Sequence, residues 1–189
     1  GLVPGSNWPT SPSEQVLTQQ WRVELDASYS GPIVSESAVF VTGTAGKQTE
    51  VVTALDRKTG QELWRVQWPG AMSVPFFAAS NGSWIRATPA FDGVSLFVAG
   101  MRDVLVSLDA RTGKENWRVD FVKEFKTPLP TFGFVSSPLL DGESLYVQAG
   151  ASLVKLEKSS GKVIWRTLKD DGGMMGSAFS SPVIATLAG

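Results

Sequence analysis

One short pattern returns three times along this chain and constrains its fold more than any other feature. It reads Ala54-Leu-Asp-Arg-Lys-Thr-Gly-Gln-Glu-Leu-Trp64, Ser107-Leu-Asp-Ala-Arg-Thr-Gly-Lys-Glu-Asn-Trp117 and Lys155-Leu-Glu-Lys-Ser-Ser-Gly-Lys-Val-Ile-Trp165. Leu, an acid, Thr or Ser, Gly and Trp keep the same offsets each time, and Arg65, Arg118 and Arg166 follow the tryptophans. Trp21-Arg22-Val23 matches the tail of the pattern without its turn. The Trp-to-Trp intervals are 43, 53 and 48 residues. A period of that size marks units that cannot bury an apolar face alone and must stack on their neighbours. It is the length of one four-stranded blade of a β-propeller.

A second element recurs between the tryptophans. Gly31-Pro32, Thr88-Pro89, Ser137-Pro138 and Ser181-Pro182 each open a short apolar run. Three of them lead to Val39-Phe40-Val41, Leu96-Phe97-Val98 or Leu145-Tyr146-Val147 and then to Gly43, Gly100 or Gly150. Proline suits the first residue of a strand, where its missing N–H costs least. Four strands per blade follow: A after the Pro, B at the Phe/Tyr run, C ending at Leu55, Leu108 or Leu156, and D carrying the Trp. The fold class expected is all-β, a propeller of four-stranded antiparallel blades with about three complete blades and parts of two more. Repeats run over about residues 21–64, 65–117 and 118–165, with the start of a further one at 166–189. Residues 1–20 are set aside, since Gly1-Leu2-Val3-Pro4-Gly5-Ser6 reads as a protease-site remnant of recombinant expression ahead of an N-terminal extension.

The acids of the pattern have a local use. Asp56, Asp109 and Glu157 can accept backbone N–H bonds inside the C–D turn, and Gly60, Gly113 and Gly161 can take the positive φ such a turn needs. Single acids some fifty residues apart are not counted as a metal site. Trp64, Trp117 and Trp165 read as packing between neighbouring blades; burying one Trp removes about 150–250 Å² from water, about 4–6 kcal/mol gross.

Composition narrows the chemistry. The chain has no cysteine and no histidine, which removes disulfides, thiolate nucleophiles, Ser-His-Asp catalysis and the commonest transition-metal ligands. With a net charge of −1, no basic footprint points to nucleic acid, and no apolar stretch is long enough to insert in a bilayer.

The pattern Leu-Asp-x-x-Thr-Gly-x-x-x-Trp at 55–64 and 108–117 resembles the repeat of the pyrroloquinoline-quinone (PQQ) family of β-propellers. The resemblance covers about residues 21–189. It implies an eight-bladed ring, usually outside the bacterial cytoplasm, hence a periplasmic or otherwise extracytoplasmic protein. The family includes quinoprotein alcohol and glucose dehydrogenases and the BamB-like scaffolding lipoprotein of outer-membrane protein assembly. Quinoprotein dehydrogenases hold PQQ with calcium through a Glu, an Asn and a catalytic Asp, and the alcohol dehydrogenases add a vicinal Cys-Cys disulfide; this chain has no Cys, and no residue is matched to the catalytic Asp. The expected role is therefore a non-catalytic binding or scaffolding module with no cofactor. The rivals are a fragment of a PQQ- and calcium-dependent dehydrogenase oxidising alcohols or sugars, and a sensory ectodomain. Three blades of eight would leave open edges through which copies could self-associate.

A ligand or protein partner is expected on the D-to-A connections, which are long and rich in aromatic residues. The first carries Phe76, Phe77, Trp84 and Arg86; the second Phe132 and Phe134; the third Met174 and Met175 beside the acidic pair Asp170-Asp171. Aromatic side chains with Arg on loops are the composition of a recognition surface, and Met on a Gly-rich loop can repack around different partners. No catalytic or metal residue is assigned.

Overall fold

The computed structural model describes residues 18–176 and 179–186, apart from the side chains of Asn81 and Met175. The remnant at residues 1–6 lies outside them. Three four-stranded antiparallel sheets follow one another along the chain. Blade 1 is β1 (Ile33–Val34), β2 (Ala38–Ala45), β3 (Thr49–Asp56) and β4 (Glu62–Pro69). Blade 2 is β5 (Ala90–Phe91), β6 (Ser95–Gly100), β7 (Val104–Asp109) and β8 (Glu115–Asp120). Blade 3 is β9 (Leu139–Asp141), β10 (Ser144–Gln148), β11 (Leu153–Glu157) and β12 (Val163–Thr167). Each first strand begins just after its proline. Trp21 and Pro182, expected on strands of two further blades, lie on extended chain with no ladder. A strand needs a partner for its backbone groups, and none of the described residues supplies a C strand beside Trp21 or a B strand beside Val183.

The core lies between blades. Along β6, Leu96 and Val98 face Phe40, Val52 and Ala54 of blade 1, while Phe97 and Ala99 face Leu145, Val147 and Val154 of blade 3. Successive side chains on a strand point to opposite faces, so the middle blade is apolar on both. That is why Leu96-Phe97-Val98-Ala99 reads as an unbroken apolar run, whereas β10 alternates.

The repeating pattern builds the same contact three times. Between strands C and D the register shifts just before Leu55, Leu108 and Leu156, leaving one extra residue on strand D beside each tryptophan. Such a bulge re-aims the side chain that follows it. The Trp64 ring packs on Gly113 of the next blade and its indole N–H donates to the Ala110 carbonyl at 3.0 Å. Trp117 does the same on Gly161 and the Lys158 carbonyl at 3.1 Å, and Trp21 on Gly60 and the Arg57 carbonyl at 2.9 Å. A Cβ on Gly113 would lie 2.8 Å from Trp64, so the glycine is needed for the approach as well as for its φ of 74°. Asp56 accepts from the backbone and side chain of Thr59, and Asp109 from those of Thr112. These bonds hold both carboxyls below the usual range. Ser160 donates to Glu157 in the third turn.

The residue before each proline ties neighbouring blades. Gly31 donates its N–H to Thr88 Oγ1 at 3.0 Å, Thr88 to Ser137 Oγ at 3.0 Å, and Ser137 to Ser181 Oγ at 2.9 Å. This ladder carries the repeat one step past blade 3, to the segment around Pro182.

Candidate functional site

In an up-and-down blade the D-to-A connection and the B–C turn fall at the same end. The candidate residues and the B–C turns of all three blades therefore share one face. The first connection is braced by Gly82, whose φ of 82° lets Trp84 pack on it. Trp84 then stacks on Tyr29 with ring centroids 5.1 Å apart, and the Arg86 guanidinium sits 5.1 Å from the Tyr29 centroid. Arg86 Nη2 donates to the Gly82 carbonyl at 3.2 Å, while its buried Nε has no partner among the described residues. Trp84 and Arg86 form one unit with Tyr29, which precedes blade 1.

Phe76 and Phe77, on a 3-10 turn over Phe76–Asn81, belong to a separate row. Phe76 contacts Phe77 at 5.6 Å, Phe77 contacts Phe132 at 6.1 Å, and Phe132 contacts Phe179 at 5.5 Å. One row of rings thus links all three connections. Phe76 is 91% exposed, and Phe77 and Phe179 are each 56% exposed. Phe134 sits elsewhere: it is buried against Phe121 in the core between blades 2 and 3. Of the methionines, Met174 is exposed, and the Met175 side chain lies outside the described residues. Tyr29 and Phe179 were missed in the sequence, although each stands two residues before a Gly-Pro or Ser-Pro pair, as Arg86 does before Thr88-Pro89.

Two buried acids at the B–C turns were also missed. Glu50 is fully buried between blades 1 and 2 and accepts from Trp68 Nε1 at 2.8 Å and from the Met101 N–H at 2.5 Å. Burial raises its pKa, against those two hydrogen bonds. Asp103 is 3% exposed and accepts from the Gly150 N–H of blade 3 at 2.8 Å. Burial pushes its carboxyl up to about 6, against the Gly150 bond and with help from the charge of Asp120. Both acids stand six residues before the acid of the repeated pattern, where blade 3 has Ala151. Asp103 also lines a pocket with Phe134 and Asp170. Asp170 accepts from the Gly172 N–H at 2.6 Å.

Known proteins carry the same repeat. Over 165 residues the chain is 26% identical to the serine/threonine-protein kinase AfsK of Streptomyces griseus, covering 84% of this chain and 18% of that protein. It is 28% identical over 167 residues to polyvinylalcohol dehydrogenase of a Sphingopyxis species, covering 79% of this chain and 24% of the dehydrogenase. The chain thus spans no more than a quarter of either relative. Among solved structures, BamB from Moraxella catarrhalis superposes with a TM-score of 0.54 at 18% identity, over 75% of this chain and 37% of that one. That likeness concerns the fold. A family model described as outer membrane protein assembly factor BamB matches residues 47–189. This chain is a β-propeller segment of PQQ-like repeats and belongs to the BamB family.

Proposed function

We infer that this segment is a binding module of an extracytoplasmic propeller protein, which engages a protein partner through the face bearing the D-to-A connections. The carrying observation is the row Phe76, Phe77, Phe132 and Phe179, which spans three successive connections and leaves much of its apolar surface in water. Exposed rings in a contiguous group are a cost to a free protein and a gain on association, and aromatic anchors dominate interface energies. The family match to an assembly factor supports a partner that is itself a protein. A photo-crosslinker at position 76 should give one discrete protein adduct in a periplasmic extract, lost on combining Phe77→Ser with Phe132→Ser. A crosslinker at Val94, which is exposed on the A–B turn of blade 2 at the opposite end, should give none. Equal adducts from both positions would reject the assignment. Trp84→Ala with Arg86→Ala tests whether the neighbouring Tyr29 unit shares the surface.

The likeness to polyvinylalcohol dehydrogenase favours a second reading, a segment of a PQQ- and calcium-dependent quinoprotein. Among the described residues no three acidic side chains gather as they would to hold a cation, so no catalytic step is assigned to them. Dye-linked alcohol oxidation by a longer protein, with quinone absorbance, would favour that reading over the first.

A further inference from the structure

A basic pocket lies on the face that carries the aromatic row, where the first two D-to-A connections leave their blades. It measures about 790 Å³ counting its open mouth. Pro69 and Gly70 border it at the start of the first connection, and Lys123 and Leu129 on the second. Arg102 lines it from the B–C turn of blade 2, and Arg118 from strand D of the same blade. Three cations thus line the pocket against one acid, Asp120, although the whole chain has a net charge of −1.

The acids around these cations are already held. Lys123 pairs with Asp120 at 2.8 Å and also donates its backbone N–H to that carboxylate. Glu115 takes Nε and Nη2 of Arg118. Glu50, buried beside Gly70, accepts from Trp68 and from the Met101 N–H. The Arg118 guanidinium sits 5.0 Å from the Trp68 ring centroid, so it is fixed before a ligand arrives, and its Nη1 has no acceptor among the described residues. Arg102 is exposed and has neither a hydrogen bond nor an ion pair among them; the acids that feel its charge are Glu50 and Asp120. Guanidinium groups with open N–H donors match carboxylates in charge and in geometry. Val104, Val122 and Leu129 supply apolar wall for the stem of an acidic side chain.

The pocket and the exposed row share both connections. The first runs on from Gly70 to Phe76 and Phe77, and the second from Leu129 to Phe132. Leu129 and Phe132 are three residues apart, so their Cα atoms lie within about 11 Å of each other. An extended segment of about four residues covers that distance.

We propose that this pocket receives the carboxylates of an acidic segment of the protein partner, while Phe77 and Phe132 take apolar side chains a few residues away in the same segment. The inference rests on the partner reading above and adds the partner's chemistry to it.

The test is calorimetric titration of two end-capped peptides, Glu-Glu-Gly-Gly-Leu-Phe and Gln-Gln-Gly-Gly-Leu-Phe, into the 189-residue chain at low salt. One-to-one binding of the Glu peptide is expected, at least about fivefold tighter than the Gln peptide, with the advantage lost at about 1 M salt. Arg102→Glu, on an exposed side chain with no bond to lose, should keep the melting curve and erase that advantage, and Arg102→Gln should fall between. Lys58→Glu makes the same charge change on the exposed C–D turn of blade 1, at the opposite end, and should leave the advantage intact. Phe77→Ser with Phe132→Ser should weaken both peptides alike. Equal affinity for the two peptides, no binding of either, or equal effects of Arg102→Glu and Lys58→Glu would each overturn the acidic segment. Displacement of the Glu peptide by an equal concentration of inorganic phosphate would mark an isolated small-anion site and overturn it too. Binding that Arg102→Glu weakens but the double serine variant leaves untouched would instead overturn the aromatic row, and with it the partner reading.

Discussion

Trp117 and Trp165 stand in matching sequence, beside matching bulges, and pair across to matching positions, Ser107 and Lys155. Their surroundings differ. Trp117 lies on Gly161, donates to Lys158 and has the buried Phe97 ring 5.8 Å away. Trp165 is 38% exposed, with Tyr146 at 6.0 Å and no acceptor for its indole N–H among the described residues. Lys155, whose ammonium lies over the Tyr146 ring, shares that face. The repeated pattern is thus half of a contact. Its Trp works through the turn of the following blade, and its Gly through the Trp of the preceding one, as nearest-neighbour coupling in repeat proteins requires.

The largest effect should separate these two rings. Trp117→Ala removes a hydrogen bond and a ring from the core between blades 2 and 3, and should lower unfolding stability by about 3 kcal/mol. Trp165→Ala should cost less than about 1 kcal/mol. Urea midpoints compare the two directly. Equal losses would break the comparison, since Trp165 would then have a partner of equal worth.

The buried acid at the same interface gives the next effect. Asp103 titrates at about 6 in the folded protein against an ordinary 3.8, so the folded state holds its proton more tightly than the unfolded chain does. The stability associated with that proton is fully present below about pH 4 and is lost as pH rises through about 6. The loss is on the order of 2–3 kcal/mol. Asp103→Asn should flatten the melting temperature across that window, leaving the smaller slope of the same sign expected from Glu50. Asp109, held low by Thr112, acts oppositely: its contribution is present at neutral pH and lost as pH falls through a folded pKa below 3.8. Asp109→Asn should therefore alter only the acid end of the profile.

Much of the fold was legible because the repeat shows in residue identity. Leu, acid, Gly and Trp recur at fixed offsets, so the C–D turn and strand D could be placed, and the X-Pro pairs located the first strands. The B–C end was illegible for the same reason. Its position reads Glu50, Asp103 and Ala151, three different side chains at one fixed offset from the repeated acid, so no shared residue identity draws attention to it. The candidate surface was half legible. Phe76, Phe77 and Phe132 were found by composition, but buried Phe134 is indistinguishable from them on a loop of unknown path. Phe179 joins the row only because the ladder through Ser137 and Ser181 brings its segment beside the second connection.

Glycines of one blade sharpen the comparison at smaller cost. Gly161 and Gly142 both have positive φ, 72° and 54°. A Cβ on Gly161 would lie 2.6 Å from the Trp117 ring, whereas one on Gly142 meets nothing within 4 Å. Gly142→Ala should cost about 1 kcal/mol from backbone strain alone, and Gly161→Ala about 1 kcal/mol more as the ring is displaced. If Trp117→Ala is made first, the two alanine substitutions should cost the same, because the clash is gone while the strain remains.

The smallest expected effect bears on the far side of blade 3, where the described residues place no following C–D turn against Trp165. Thr88→Val removes the acceptor for Gly31 N–H between blades 1 and 2, and Ser137→Ala the acceptor for Thr88 N–H between blades 2 and 3. Each leaves a half-buried donor unpaired and should cost about 1 kcal/mol. Ser181→Ala removes the equivalent acceptor for Ser137 N–H, but there the bond is exposed and water can replace the hydroxyl. Its cost should be about 0.5 kcal/mol or less, with amide exchange at Ser137 the sensitive measure. A loss as large as that of Ser137→Ala would mean that the segment around Pro182 is as firmly seated as a complete strand A. The asymmetry between Trp117 and Trp165 would then end at the ring itself, with the innermost ladder running on undiminished beyond blade 3.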